Sequence, residues 1–361
     1  MSASRFVDWG LAERVALALG GQDGAPGAFD QEALDSACAE ATAVALDYSR
    51  LSPNRELPQP ELVDRAEWAR LGLRTLRELS EGLERQIADG LSFPGPLGGV
   101  ARSLAGAAAG AEAGIAVGYG SRKVLGQYDV ALVQPERQPR LVFVGANLAA
   151  AHLELGGDPG VFLRWIGLHE STHSIQFASV PWLRAHLGNL VEQLVAGASS
   201  RLDPGSLRAL ARRLFRSDPR AAVRTILRGD LARLLAGPEQ RATLDRLQAS
   251  MSVIEGHAEH VMDAAPRDLD PGYALLRGRL EGRRASRGGL GEVILRILGL
   301  ELKLRQYRLG KSFCDTVVAE AGIEGLNRVW RAPEALPTLA ELEQPRDWLA
   351  RVAAESPAQA A

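Results

Sequence analysis

Apolar residues recur every three or four positions along most of this chain, the spacing that gathers them on one face of an α-helix. The stretch "DQEALDSACAEATAVALDYSRL", residues 30–51, opens on Asp30, a residue suited to cap a helix N-terminus, and then keeps that spacing. So do "PELVDRAEWARLGLRTLRELSEGLERQI", residues 60–87, and the arginine-rich residues 206–236. These segments predict amphipathic helices, each burying one face against its neighbours.

Several stretches depart from that pattern. Residues 95–120, "GPLGGVARSLAGAAAGAEAGIAVGYG", carry small residues at helical spacing. Glu112 interrupts the run, and alanine and glycine supply little of the transfer energy a membrane span needs, so the segment reads as a close-packed internal helix. "QYDVALVQPE" and "RLVFVGANLA", residues 127–136 and 140–149, are short Val- and Leu-rich runs joined by a polar turn flanked by Pro135 and Pro139. They predict a β-hairpin. Residues 264–291 are dense in glycine and arginine and read as a mobile, solvated linker rather than a phosphate site. Residues 351–361 read as a disordered tail. The expected architecture is mainly α: a single mostly helical domain over residues 1–350, with a helical part at 1–120 and the chemistry in 121–350, behind a small β-hairpin.

Composition narrows the function classes. With 46% apolar and 24% charged residues, the chain has the balance of a folded soluble domain. Its formal net charge of -2 leaves no excess of cations to neutralise phosphates, which argues against nucleic acid as a partner. Cys38 and Cys314 are far apart and form no CxxC pair, so a reducing cytoplasm fits better than a disulfide framework. Asp8 and Glu13 spoil the N-terminus as a secretory signal.

The candidate chemistry lies in "WIGLHESTHSIQF", residues 165–177. On a helix, residues four apart stand one above the other, so His169 and His173 can share one metal ion. Glu170 lies about 100° around the axis from His169, within reach of a metal-bound water without being a ligand. This is the HExxH arrangement, in which two imidazoles hold zinc and the glutamate serves as general base. The plainer alternative is two histidines that share a structural helix face.

Catalytic zinc needs a third protein ligand and an open position. "SVIEGHAEHVMD", residues 252–263, crowds four ionisable side chains together: Glu255, His257, Glu259 and His260. Glu255 and Glu259 stand one turn apart, so one can bind metal while the other accepts a hydrogen bond from a ligand histidine. His257 and His260 are rival ligands. Ser252 to Glu255 also matches the S-x-x-E capping box, in which Glu255 would merely tie down a helix start.

Taken together, "HESTH" and the later "EGHAEH" resemble the glutamate zincins, where a downstream glutamate completes an HExxH site. More closely, "GLHESTHSIQF", "VIEGHAEHVMD", "LGLELKLRQYRLGKSFCD" and "LNRVWRAPEALPTLAEL" resemble the zincin-like metallopeptidase type 2 family. Its members are mainly actinobacterial, and some bear a name tied to deazaflavin coenzyme biosynthesis. The resemblance implies a mostly helical zinc hydrolase with His169, His173 and Glu255 as metal ligands and Glu170 as general base. A long insertion separates HExxH from Glu255, and no G-x-M-E-N signature occurs, so aminopeptidase specificity does not carry over.

An amide hydrolase also needs a donor for the oxyanion on the attacked carbonyl. Tyr307 and His257 are the preferred candidates, with Arg305 a third. The "RLVFVGAN" strand is a candidate edge against which an extended peptide could pair. The expected partners are therefore a peptide or small amide, with no nucleic acid and no stable membrane insertion. The competing class is a helical binding or scaffold protein in which zinc only clamps two helices.

Overall fold

The computed structural model describes residues 6–21, 29–90, 98–132, 134, 136–199, 238–265, 272–273, 275–279 and 300–354. The side chains at 83, 85–90, 98, 101, 198, 199, 238 and 300–308 lie outside that description. So do residues 206–236, most of the arginine-rich linker and the end of the expected tail. Where the last two are described, at 275–279 and 351–354, they are helical, with Leu276 and Val352 buried, which corrects the expectation of a mobile linker and of a disordered tail from residue 351.

The fold is mainly α with one small sheet. Helices α1 (Trp9–Gly20) and α2 (Gln31–Ser49) begin at Asp8 and Asp30, whose carboxylates accept from Leu11 and Ala33 N–H groups. Strand β1 (Pro60–Val63) precedes α3 (Arg65–Gly90), where the sequence pattern predicts continuous helix. Four residues are too few to display a strand alternation, and Asp64 accepts from the Glu67 N–H at the helix start.

Helix α4 (Gly98–Ser121) is the glycine- and alanine-rich segment. It lies against α1: a β-carbon at Gly114 or Gly118 would press on the Ala12 or Ala16 carbonyl at 2.5 and 2.8 Å. Small residues there let two backbones touch, as expected from the sequence, but the helix is not internal: its Val100, Leu104 and Ile115 are exposed. No helix among the described residues is long and apolar enough to cross a membrane.

The expected hairpin forms as β2 (Gly126–Asp129) and β3 (Arg140–Val144), paired antiparallel, and β1 adds to β3 in parallel. The order β1-β3-β2 makes β3 the central strand, so the expectation that "RLVFVGAN" offers a free edge is corrected: β2 lies at an edge. Leu141 and Phe143 face one apolar core while Val142 and Val144 face another, which is why this strand reads as an unbroken apolar run. Buried Arg184 clamps the β2–β3 connection by donating to the carbonyls of Ala131, Gln134 and Arg137. Through β1 the sheet joins the first part of the chain to the part that carries the histidines.

Helices α5 (Gly145–Leu155) and α6 (Pro159–Ser179) follow, then α7 (Leu183–Ser199), α8 (Pro238–Ala264) and α9 (Leu300–Leu326). Short helices α10 (Leu339–Glu343) and α11 (Pro345–Ala354) close the chain's described part. Helix α6 starts on an Asp158 cap with Pro159 in its first turn, and from Val161 onward nearly every residue is buried. A helix covered on all sides is a core helix, and α6 is wrapped by α2, α8 and β2.

Candidate metal centre

Helix α6 presents His169 and His173 on one face, and α8 crosses that face with Glu255. The His169 and His173 Nε2 atoms are 3.3 Å apart, and the Glu255 Oε2 stands 3.3 Å from His173 Nε2 and 3.6 Å from His169 Nε2. Three donors bound to zinc at about 2.0–2.1 Å in tetrahedral array would be separated by about 3.3–3.4 Å, so the triangle has the size of a zinc site. Its chemistry agrees: two imidazole nitrogens and one carboxylate oxygen are a set that catalytic zinc uses with one position left open. Apart from the two imidazoles, the buried Glu255 Oε2 has no hydrogen-bond partner, which an arriving cation would relieve.

The three groups share their charges. Burial by itself would depress the His169 imidazole, but the adjoining Glu255, Glu170 and Glu259 carboxylates outweigh it and hold its pKa up at about 9. Burial would raise the Glu255 carboxyl, yet the His173 and His169 rings bring it well below its ordinary 4.5. The pocket favours positive charge at its centre, which is what a metal ion supplies.

Glu170 is buried beside the histidines, where its Oε2 accepts the Tyr128 backbone N–H of β2 at 3.1 Å. Glycine is required two residues earlier. A β-carbon on Gly126 would lie 2.7 Å from Glu170 Cγ and 3.0 Å from the Phe143 ring. The strand can approach the HExxH helix this closely only because that side chain is missing.

The remaining candidates separate. His257 is fully buried, and its Nδ1 meets the Gln176 amide at 3.0 Å, on the side of His173 away from Glu255. An oxyanion donor must touch substrate, so this placement does not suit the role expected of His257. Burial, with His260 and His173 adding to it, pushes the His257 pKa down to about 3 and keeps the ring neutral. His260, the rival ligand, has both ring nitrogens engaged, Nε2 with the Tyr48 hydroxyl and Nδ1 with Asp315, each at 2.7 Å. Glu259 pairs with Arg277 at 2.5 Å. The capping box at Ser252 does not form, because α8 begins at Pro238 and the Ser252 hydroxyl donates back to the Gln248 carbonyl. The side chains of Tyr307 and Arg305 lie outside the described residues.

The sequence reading missed Tyr128 and Gln176. Tyr128 acts through its backbone and leaves no residue-type signal, whereas Gln176 stands three residues past His173 on the same helix and could have been found from that spacing.

Among the described residues, His169, His173 and Glu255 form the one cluster of three such donors within 4.8 Å of one another. A family model described as zincin-like metallopeptidase matches residues 7–349. The chain belongs to the zincin-like metallopeptidase family. A crystal structure from Chloroflexus aurantiacus, provisionally described as a hydrolase with a novel fold, is similar over 97% of this chain and 100% of its own. The identity is 29% and the TM-score 0.71. No curated protein matches the chain.

Proposed function

We propose that this zincin-like protein is a zinc-dependent hydrolase that cleaves amide bonds in a peptide or small-molecule substrate. The observation that carries the reading is the convergence of His169, His173 and Glu255 within 3.3–3.6 Å, with the Glu170 carboxylate beside them. Zinc held there would lower the pKa of a bound water toward neutrality and polarise the substrate carbonyl.

The chain's own residues do the rest. Glu170, oriented by the Tyr128 N–H, accepts the proton of the attacking water and returns it to the departing amine. The buried surroundings of α6 exclude other water, which strengthens the charges at the site. Tyr307 is the candidate oxyanion donor. A scaffold role with structural zinc would need a fourth protein ligand in place of the open position.

The test is Glu170→Gln. It should retain zinc and lose turnover of a peptide library by about a hundredfold or more, the usual scale for a general base. Undiminished turnover, or no turnover by the zinc-loaded wild type on any amide offered, would contradict the proposal.

A further inference from the structure

Gln176 makes three polar contacts with one side-chain amide. Its Oε1 meets His173 Nδ1 at 3.0 Å, while its Nε2 meets the Ile254 carbonyl at 2.9 Å and His257 Nδ1 at 3.0 Å. All four residues are buried. The Ile254 carbonyl only accepts, so it fixes which end of the amide is the nitrogen. The other assignments follow in order. The amide oxygen accepts, so His173 carries its proton on Nδ1 and leaves the Nε2 lone pair facing Glu255. The amide nitrogen donates, so His257 presents a bare Nδ1 and carries its proton on Nε2.

We propose that Gln176 is the positioning residue of the metal centre, setting the His173 tautomer that can bind metal and locking α6 to α8 beside Glu255. This rests on the zinc reading of the site. Ile254 immediately precedes Glu255, so the same amide that orients one ligand also fixes the backbone bearing another. Among the natural side chains only glutamine and asparagine offer an acceptor and two donors on one planar group, and asparagine is shorter by one methylene. A carboxylate could hold His173 but has nothing to donate to Ile254 or to His257. Being neutral, the amide also adds no negative charge behind His173, which leaves the cation more electrophilic than a carboxylate partner would.

Two measurements test this on the full chain. In zinc-loaded wild type, long-range proton–nitrogen NMR should show His257 protonated on Nε2 with a bare Nδ1; a proton on Nδ1 would overturn the assignment. Competition with a chromogenic chelator should show Gln176→Leu binding zinc about 10–100-fold more weakly than wild type. Gln176→Glu should recover only part of that affinity, since it restores the acceptor for His173 but not the tie to Ile254. Metal-free melting should fall in both variants, since both lose the tie to Ile254. A purely structural residue would lower melting in both and leave zinc affinity of the folded protein unchanged, and that pattern would overturn the inference. Should Gln176→Leu not fold, the His257 tautomer measured in wild type decides: a proton on Nδ1 contradicts it. Absence of zinc binding by wild type would instead refute the metal centre itself.

Discussion

The Tyr128 backbone N–H donates to the Glu170 carboxylate at 3.1 Å, joining the edge strand β2 to the HExxH helix. The contact orients the general-base candidate through the main chain. No replacement of the Tyr128 side chain removes that donor, but a change at Gly126 can move the strand.

Gly126→Ala would place a methyl 2.7 Å from Glu170 Cγ and 3.0 Å from the Phe143 ring. Either β2 or the Glu170 side chain must give way. A displacement near 1 Å at a reacting group costs about a hundredfold in rate, so kcat/KM should fall on that order. Zinc content should not change, because neither histidine is touched. Parallel kinetics and metal analysis check this.

Helices α8 and α9 cross where Gly256 meets Gly310. A β-carbon on Gly310 would overlap the Ser252 carbonyl, and one on Gly256 would overlap the Gly310 carbonyl. Both obstacles are backbone and cannot rotate aside. Gly310→Ala should therefore destabilise the fold by about 3 kcal/mol, the upper range of overpacking, read from urea denaturation. Because α8 carries Glu255, zinc affinity should weaken as well.

Far from the metal centre, Thr338 and Glu341 form a capping box at α10, and Arg351 donates to Glu341 at 2.6 Å. Burial would raise the Glu341 carboxyl, but Arg351 and the Thr338 N–H outweigh it and lower its pKa below the ordinary 4.5. A carboxyl depressed on folding adds stability that is complete above the unfolded value and is lost as pH falls through the folded one. Because glutamine still completes the box, Glu341→Gln should cost about 0.5–1 kcal/mol at neutral pH. The gap between variant and wild type should narrow as pH drops below 4.5. Urea midpoints across that range check the sign.

Much of the helical fold was legible because the 3.6-residue period survives wherever one helix face is buried. Helix α6 is covered on all sides and shows little such period, yet its H-E-x-x-H spacing still marked it. The α2 cap at Asp30 and the small-residue spacing of α4 are local properties and were readable as such; that α1 is the neighbour it admits was not. Strand β1 was hidden because it is short and gains its meaning from β3, far along the chain: Pro60 pairs with Leu141. The structure brings His169, His173 and Glu255 together, and helical spacing plus the family resemblance had selected them. Spacing alone could not choose among Glu255, His257, Glu259 and His260. That choice depends on which face of α8 meets α6 and on the partners Gln176, Arg277, Tyr48 and Asp315 that occupy the other three.

The most direct measurement is zinc content per chain for wild type and Glu255→Ala, each purified without added metal. The account predicts one zinc per wild-type chain and a large loss in Glu255→Ala, with the helical circular dichroism unchanged. Wild type free of zinc even after incubation with the metal, or full occupancy retained in Glu255→Ala, would contradict it.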